Sequence, residues 1–410
     1  MFLNYLFIAF FVVGIAIGVC YALGTGNSEI LSEMVQATFD SSKTAFELAL
    51  ALTGILCFWL GIMNIGKESG LMQRISHAIA PVLGALFPSI PKTHPVLGNI
   101  FMNVSANLLG LDNAATPLGL KAMEQLQELN LNKQQASDAQ IMFIVLNAGG
   151  LTLIPTSIMA YRMMSGAANP SDIFLPILLA TLLSSLTGVL AVCIKQRIKL
   201  LQPALLLLAS AIFLFISLII AGWWWLPAPL FRTTSQAVSA GVLLSIILLF
   251  MLSGWRKKIN VYEAFISGAK EGFSTAISIV PYLVAMLVAI GIFRASGGMQ
   301  LLIEGLRWIV LQLGLSADWV EALPTMLMKP LSGSGARALM VDAMNTYGAD
   351  SLVGRIACAA QGATDTTLYI VALYFGAVRI TRTRYTVSYS LLADAVGLIA
   401  CIPICHLFFG

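Results

Sequence analysis

The sequence predicts an all-α polytopic membrane protein made of two inverted repeats. Three observations support this class: the chain is strongly apolar, several apolar stretches are long enough to cross a bilayer, and its two halves resemble each other. Of the 410 residues, 58% are hydrophobic and 10% are charged, and the mean hydropathy is +0.88. This composition excludes a soluble core inside a charged shell, so most of the surface is expected to face lipid.

Nine stretches combine high hydropathy with turn signals at their ends, and each is predicted to cross the membrane. They lie near residues 3–24, 45–66, 138–162, 172–194, 200–224, 234–254, 273–293, 355–378 and 386–409. A helix needs about 20 apolar residues to cross a hydrocarbon core of about 30 Å. The first stretch has no basic n-region and no clear cleavage site, so it is interpreted as a retained span rather than a signal peptide.

Two further apolar regions, residues 93–125 and 319–347, are interrupted at their centres by Pro, Gly, Ser and Asn. A helix that breaks in the middle of a bilayer exposes backbone polar groups, which lipid cannot satisfy. Both regions are therefore predicted to be re-entrant hairpins that pack against other helices or line a wet cavity.

The two halves of the chain match at constant offsets. One offset pairs residues 69–73 with 296–300 and Ser105 with Ser332, and a shorter one pairs Gly188 with Gly397 downstream. The difference corresponds to a polar insertion in the first half, around residues 125–142. Clustered matches of this kind favour a true repeat over shared composition.

Each predicted repeat has four spans and one hairpin, and one unpaired span near 200–224 lies between them. Because the number of crossings before the second repeat is then odd, that repeat enters the membrane inverted, as in many secondary transporters. The predicted domains are a first repeat at residues 1–196, a linking helix at 197–228 and an inverted second repeat at 229–410.

The basic residues predict the orientation, since lysine and arginine gather on the cytoplasmic side of membrane proteins. Most of the 23 basic residues fall on one side when the N-terminus is cytoplasmic and the C-terminus outside. The first hairpin then enters from the cytoplasm and the second from outside. The expected location is the bacterial cytoplasmic (inner) membrane.

Small and amide side chains occupy both hairpin tips. The first tip, residues 103–113, reads NVSANLLGLDN, and the second, residues 330–335, reads PLSGSG. Such tips direct helix N-terminal N–H groups and hydroxyls at a midplane cavity, where they can bind a polar or anionic group without a fixed charge. The alternative is that these residues only allow close helix packing.

Each hairpin is followed by a span with an interrupted centre, residues 147–157 (NAGGLTLIPTS) and 361–367 (QGATDTT). The repeat places Asp365 opposite Thr156. A carboxylate near mid-membrane is costly unless it is paired or hydrated, so Asp365 is predicted to bind a cation or to take up a proton. The alternative is that Asp365 only forms hydrogen bonds with the neighbouring hairpin. Asp394, opposite Ser185, is a second candidate of the same kind.

The predicted site therefore has two parts. The predicted substrate-binding residues are Asn103, Ser105, Asn107, Asn147, Thr152, Ser332, Ser334 and Gln361, and the predicted ion-coupling residues are Asp365, Thr364 and Thr366. Na⁺ or H⁺ is the expected coupling ion, with no other cofactor and no bound metal. The sequence has no HExxH, GxSxG or CxxC motif, so no enzyme activity is expected. The expected partners are a small-molecule substrate and the lipid bilayer, without nucleic acid, and a homo-oligomer is compatible with the sequence.

Two groups of motifs carry a family resemblance. Residues 103–124 resemble the spore maturation protein A family, and residues 330–335 with 361–369 resemble the spore maturation protein B family. The chain thus resembles a fusion of the two within the nucleoside-recognition, or Gate, superfamily, which also includes concentrative nucleoside transporters and the ferrous-iron transporter. The resemblance implies that the hairpins and broken spans hold a substrate and a coupling ion.

The leading hypothesis is a secondary transporter that moves a small polar solute by alternating access, coupled to Na⁺ or H⁺. The alternative is a non-transporting membrane scaffold that recruits an envelope or spore-maturation-like partner.

Overall fold

The computed structural model describes residues 2–109 and 112–410. Within these ranges the chain folds into α-helices with one short 3₁₀ turn and no β-strand, apart from an isolated bridge between Gln135 and Arg382. In chain order the helices are α1 (Phe2–Thr25), α2 (Glu29–Glu68), α3 (Leu71–Leu86), α4 (Pro95–Leu108), α5 (Asp112–Leu129), α6 (Asp138–Ala148), α7 (Thr156–Met164), α8 (Phe174–Gln196), α9 (Pro203–Trp225), α10 (Ala228–Arg256), α11 (Val261–Ala295), α12 (Gly298–Gln312), α13 (Leu323–Met328), α14 (Gly333–Tyr347), α15 (Leu352–Ala363), α16 (Thr367–Ala377) and α17 (Thr386–Phe409). The 3₁₀ turn, Val320–Ala322, precedes α13.

Seven helices of the described chain are long and apolar enough to cross a membrane, which makes this a multi-pass membrane protein. They are α1, α2, α8, α9, α10, α11 and α17. All seven coincide with predicted spans. Helix α2, with 40 residues, begins well before the predicted span because no proline or glycine interrupts the chain between Glu29 and that span.

The other two predicted spans each consist of two short helices. Helices α6 and α7 are separated at residues 149–155, and α15 and α16 at residues 364–366. The first break contains Gly150 in the left-handed conformation, with φ +60°, and ends at Pro155, which has no N–H to donate. The interruptions predicted from the sequence are therefore confirmed, and neither stretch is a continuous helix.

Both predicted hairpins appear as pairs of helices that pack against each other, α4 with α5 and α13 with α14. The predicted tip residues Gly110 and Leu111 lie outside the described residues, as do the side chains of Asp112 and Asn113. In the second hairpin the Ser332 side chain accepts a hydrogen bond from the Gly335 amide at 3.1 Å and caps the start of α14. Entry of the hairpins into the bilayer from opposite sides stays a prediction.

Helices α3 and α12 have no counterpart among the predicted spans and hairpins. Each follows a left-handed glycine, Gly70 or Gly297, and each precedes a hairpin. Helix α3 packs on α4 and α9, whereas α12 packs on the 3₁₀ turn, α13 and α1. With 16 and 15 residues and a polar face, they are too short to span and give no hydropathy peak. With them, the helix order α1–α8 recurs as α10–α17, and α9 lies between.

The chain forms two compact units, and each unit draws on both halves of the sequence. Unit 1 comprises the chain up to Trp59, Thr156–Pro170 and Ala269–Gln361, and unit 2 comprises Leu60–Pro155, Ser171–Gly268 and Gly362–Gly410. Corresponding elements fall into opposite units: the first hairpin with α6 and α16 belongs to unit 2, and the second hairpin with α7 and most of α15 belongs to unit 1. The predicted boundaries at 196 and 228 concern the sequence repeats and stay a prediction.

The predicted polar insertion, residues 125–142, includes the end of α5, a loop and the start of α6. Ser137 and Gln140 form a capping box at α6. The Ala136 amide donates to the Arg382 carbonyl at 3.0 Å, and the Arg384 guanidinium contacts the Asp138 carboxylate at 2.7 Å. The insertion thus connects the segment Leu60–Pro155 of unit 2 with the loop between α16 and α17 by hydrogen bonds.

Candidate functional site

In unit 2 the break after α6 lies directly against the break before α16. A Cβ added to Gly150 would lie 2.6 Å from the Asp365 amide nitrogen and 2.9 Å from the Thr364 carbonyl carbon. The Asp365 amide donates to the Ala148 carbonyl at 3.0 Å. Glycine is required here because the backbone is left-handed and another backbone approaches so closely. We call this meeting point, residues 148–150 with 364–365, the crossing.

Hydroxyl groups satisfy the backbone carbonyls that the break leaves open. Ser185 of α8 donates to the Gly149 carbonyl at 3.1 Å, and Thr181 of the same helix donates to the Gly150 carbonyl at 3.1 Å. Thr152 also donates to the Gly150 carbonyl, at 3.0 Å. Since lipid offers no hydrogen bonds, such internal donors are what makes a broken helix tolerable in a membrane.

The first hairpin is joined to the same break by an amide pair. Asn107 Nδ2 donates to Asn147 Oδ1 at 2.9 Å, and Asn147 Nδ2 donates in turn to the Phe143 carbonyl at 2.9 Å. The Leu153 amide donates to the Leu108 carbonyl at 2.8 Å. The C-terminal end of α4 is thus fixed to the interrupted span by side chains and by backbone.

The remaining predicted residues of the first hairpin are buried. Asn103 Nδ2 donates to the Ala115 carbonyl at 2.8 Å and links the two arms, while its Oδ1 is buried without a hydrogen-bond partner. Ser105 is also buried, and its hydroxyl donates to the Phe101 carbonyl within α4 at 2.7 Å. Asn103 therefore has an acceptor left for a ligand, whereas the hydroxyl proton of Ser105 is used by its own helix.

Asp365 differs from its two threonine neighbours because its side chain is exposed while both threonines are buried. Its carboxylate accepts a hydrogen bond from the Thr366 amide at 2.6 Å. The hydroxyl of Thr364 is buried and has no hydrogen-bond partner. The Asp365 carboxylate is thus accessible and accepts a hydrogen bond at the start of α16. The buried hydroxyl without a hydrogen-bond partner belongs to its neighbour, Thr364.

In unit 1 the predicted residues of the second hairpin also meet an interrupted span. Gln361 Nε2 lies 3.4 Å from the Gly333 carbonyl, and its Oε1 is buried without a hydrogen-bond partner. The Ser332 and Ser334 hydroxyl oxygens are 3.3 Å apart. In each unit, therefore, an amide side chain near the end of a half-span, Asn147 or Gln361, contacts the hairpin of that unit.

Unit 1 carries basic residues beside its hairpin tip that the predicted site did not include. Lys329, the residue after α13, is buried. The Arg337 guanidinium lies 5.9 Å from the centre of the Tyr161 ring of α7. Lys329 therefore directly precedes the second tip in the chain, and binding at the tips without a fixed charge stays a prediction. The available signal was the position of Lys329 in the sequence, directly before Pro330 of the tip segment.

The predicted site residues thus form two clusters, each within its own unit. Unit 2 holds Asn103, Ser105, Asn107, Asn147, Thr152, Thr364, Asp365 and Thr366, and unit 1 holds Ser332, Ser334 and Gln361. Thr181 of α8 was missed, although hydroxyls at residues 181, 184 and 185 lie on one face of an otherwise apolar helix. That spacing was the signal for a helix that supports a polar break.

A model of one protein family matches most of the chain. The family is described as "Gate: Nucleoside recognition", and the matched residues are 49–253 and 276–381. These segments include both hairpins, both interrupted spans and the crossing.

Two proteins of Bacillus subtilis (strain 168) are similar to this chain. Spore maturation protein A is 42% identical over 174 residues, which cover 42% of this chain and 87% of the relative. Spore maturation protein B is 44% identical over 160 residues, which cover 39% of this chain and 88% of the relative. Matches that cover most of the length of both proteins are the result expected for a fusion of the two.

Proposed function

We propose, since this chain belongs to the Gate (nucleoside recognition) family, that it is a secondary transporter for a small polar solute. It would work by alternating access in the bacterial cytoplasmic membrane, driven by a Na⁺ or H⁺ gradient. The N-terminus would be cytoplasmic and the second repeat inverted relative to the first.

The observation that carries this proposal is the crossing in unit 2. Two interrupted spans meet there through their backbones, with Gly150 against Thr364 and Asp365. Broken helices persist in membranes only where protein or a wet cavity satisfies them, and carriers place their substrate and ion sites at such breaks. A protein that only needed stable spans would have no use for two such breaks in contact.

Unfilled hydrogen-bonding groups near the hairpins support a binding role. Asn103 Oδ1 in unit 2 and Gln361 Oε1 in unit 1 are buried acceptors without a partner. A buried polar group left without a partner destabilises a protein by about 1–3 kcal/mol, so such groups call for an explanation such as a ligand. Within either unit, a solute with N–H or O–H donors would satisfy the acceptor of that unit.

The proposed substrate contacts follow from these positions. In unit 2 they are the side chains of Asn103, Asn107, Asn147 and Thr152, with Ser105 supporting α4 from within. In unit 1 they are Ser332, Ser334 and Gln361. Because amides and hydroxyls donate and accept hydrogen bonds, they suit an uncharged or singly charged polar solute.

Transport is tested by reconstituting the purified protein into liposomes and measuring uptake of nucleosides, dicarboxylates and short peptides under Na⁺ or H⁺ gradients. The informative variant is Asn107→Leu, which removes the hydrogen bond to Asn147. The matched control is Asn99→Leu, since Asn99 makes a 2.7 Å amide–amide bond to Gln125 within the same hairpin. We expect about a tenfold loss of uptake for Asn107→Leu, the equivalent of one such hydrogen bond, and little change for Asn99→Leu. Absence of gradient-driven uptake for every solute would overturn the proposal.

The names of the two similar Bacillus proteins support a second candidate, a non-transporting scaffold for an envelope or spore-maturation-like partner. A scaffold would keep its cellular function in Asp365→Asn and Ser332→Ala variants and lose it when lipid-facing or loop surfaces are changed. A transporter would show the reverse. Complementation of a deletion strain with these variants separates the two.

A further inference from the structure

Arg337 differs from the other arginines of unit 1 because no carboxylate pairs with it. Within the described chain, unit 1 contains five arginines, and the other four form ion pairs with an acid. These pairs are Arg162 and Arg355 with Asp350, Arg294 with Asp342, and Arg307 with Glu321. Arg337, in the second turn of α14, forms no ion pair with a described residue, although charged side chains within membrane proteins are generally paired.

The side chain of Arg337 lies next to a buried tyrosine of α7. The guanidinium carbon is 5.9 Å from the centre of the Tyr161 ring, and Tyr161 is only 1% exposed. The Tyr161 hydroxyl lies close to this guanidinium, yet no well-formed hydrogen bond satisfies it. A guanidinium can only donate hydrogen bonds, so it offers no acceptor for the phenol proton. The pair therefore presents N–H and O–H donors that need an acceptor, and Arg337 is partly exposed and accessible to a ligand.

A second arginine–tyrosine pair in unit 1 indicates which group satisfies such an arrangement. The Arg294 guanidinium lies 6.0 Å from the centre of the Tyr347 ring. Its Nε donates to one oxygen of the Asp342 carboxylate at 2.8 Å, and its Nη2 contacts the other oxygen. This is the bidentate geometry in which arginine binds carboxylates most strongly. Arg337 and Tyr161 repeat the same two residue types at nearly the same separation, but without a described carboxylate as the third group.

The unpaired arginine lies near the predicted substrate contacts of unit 1. Ser334 precedes Arg337 by three residues on α14, so the two side chains are neighbours on one face of the helix. The Ser334 hydroxyl is in turn 3.3 Å from that of Ser332. One helical turn, about 5.4 Å, therefore separates the charge of Arg337 from the hydroxyls of the second hairpin, a distance that one small solute can span.

We propose that Arg337 and Tyr161 bind the carboxylate group of a small organic acid. The guanidinium donates two parallel hydrogen bonds to the two carboxylate oxygens, and the Tyr161 hydroxyl donates a third. One arginine balances one negative charge, so the site takes one carboxylate. This assignment deepens the proposed function, on which it rests for the movement of the solute, because it names an organic acid as the class of substrate.

The site is tested by thermal unfolding of the purified full-length protein in detergent, with chloride replaced by acetate, benzoate or succinate at constant ionic strength. The uncharged amides of the three acids are the ligand controls. A ligand that binds only the folded state stabilises it in a saturable way. We expect at least one acid, and not its amide, to raise the melting temperature.

Two variants then locate the binding. Arg337→Gln should abolish the rise, and Tyr161→Phe should raise the apparent dissociation constant of the acid about tenfold, the loss expected for one hydrogen bond to a charged group. If Arg337→Gln does not fold, Tyr161→Phe and Arg337→Lys decide. The lysine keeps the charge but loses the bidentate geometry, so it should also weaken binding about tenfold.

Tyr347→Phe and Arg307→Gln are the matched controls, because each changes an arginine site that a carboxylate of the protein already occupies. Both should leave the response to the acid unchanged. No rise with any of the three acids, or a rise that survives Arg337→Gln, would overturn the site.

A further outcome separates the carboxylate from other anions. A rise with inorganic phosphate and with none of the acids would assign a phosphate group and equally overturn the proposal. Carboxylate binding without uptake would retain the site and contradict the transporter, and uptake of uncharged solutes without carboxylate binding would do the reverse.

Discussion

The two compact units contain corresponding elements, a hairpin and half-spans, but differ in buried charge. Unit 1 contains the buried bases Arg162 and Lys329, and unit 2 contains the buried acids Asp172 and Asp394. The units also differ in what holds their interrupted segments. In unit 2 the breaks are held by backbone contacts and hydroxyls, whereas unit 1 uses an ion pair.

That ion pair joins α7 to the loop after α14. Arg162 is fully buried, and its guanidinium donates to the Ala349 carbonyl at 2.6 Å and to the Asp350 carboxylate at 2.9 Å. The other carboxylate oxygen of Asp350 accepts from the Ala168 amide at 2.8 Å. The comparison teaches that corresponding elements of a repeated helix order can be stabilised by different chemistry in the two units.

The largest expected effect comes from Gly150→Ala in unit 2. The left-handed backbone costs a non-glycine residue about 1–2 kcal/mol, and overpacking against Asp365 adds about 1–3 kcal/mol, so we expect about 3 kcal/mol of destabilisation in all. Gly166→Ala in unit 1 is the control, since φ is +80° there and nothing lies within 4 Å of an added Cβ. Unfolding in mixed detergent micelles measures both. Equal losses of unfolding free energy in the two variants would show that the close backbone contact at Gly150 does not stabilise unit 2.

Arg162→Met in unit 1 should have the next largest effect. Breaking a fully buried ion pair costs about 3–5 kcal/mol, and the partial exposure of Asp350, 36%, reduces the expected loss to about 2 kcal/mol. Lys43→Gln is the control in the same unit, because its pair with Glu47 spans 3.8 Å and is 76% and 62% exposed. The same unfolding measurement applies. If Arg162→Met destabilises the protein no more than Lys43→Gln does, the buried ion pair does not stabilise unit 1.

The smallest effect is expected when the amide side chains that contact the hairpins are replaced by leucine. Asn147→Leu should destabilise unit 2 by about 1 kcal/mol, because Asn147 makes two hydrogen bonds of 2.9 Å. Gln361→Leu should be nearly neutral for stability, since it removes one long contact of 3.4 Å and an acceptor without a partner. Both should lower substrate uptake. If Gln361→Leu destabilises the protein as much as Asn147→Leu, Gln361 is structural rather than ligand-binding.

The spans and the interruptions were predictable because each depends on local sequence. Hydropathy located the seven helices that are long and apolar enough to cross a membrane, and glycine and proline at 149–155 predicted a broken helix. The hairpins were predictable for the same reason. Helices α3 and α12 were not, because a short amphipathic helix has no hydropathy peak and its glycine start resembles any turn.

The sequence by itself determined that this is a multi-pass helical protein with two interrupted spans and two hairpins, because chain length and polarity within a single segment decide those features. Only the tertiary structure decided that Gly150 meets Thr364 and Asp365, and that Asp394 rather than Asp365 is buried. The physical reason is that burial and hydrogen-bond satisfaction depend on residues distant in sequence. Tyr161 and Arg337 come from separate segments, and no local pattern could show that their side chains meet in unit 1.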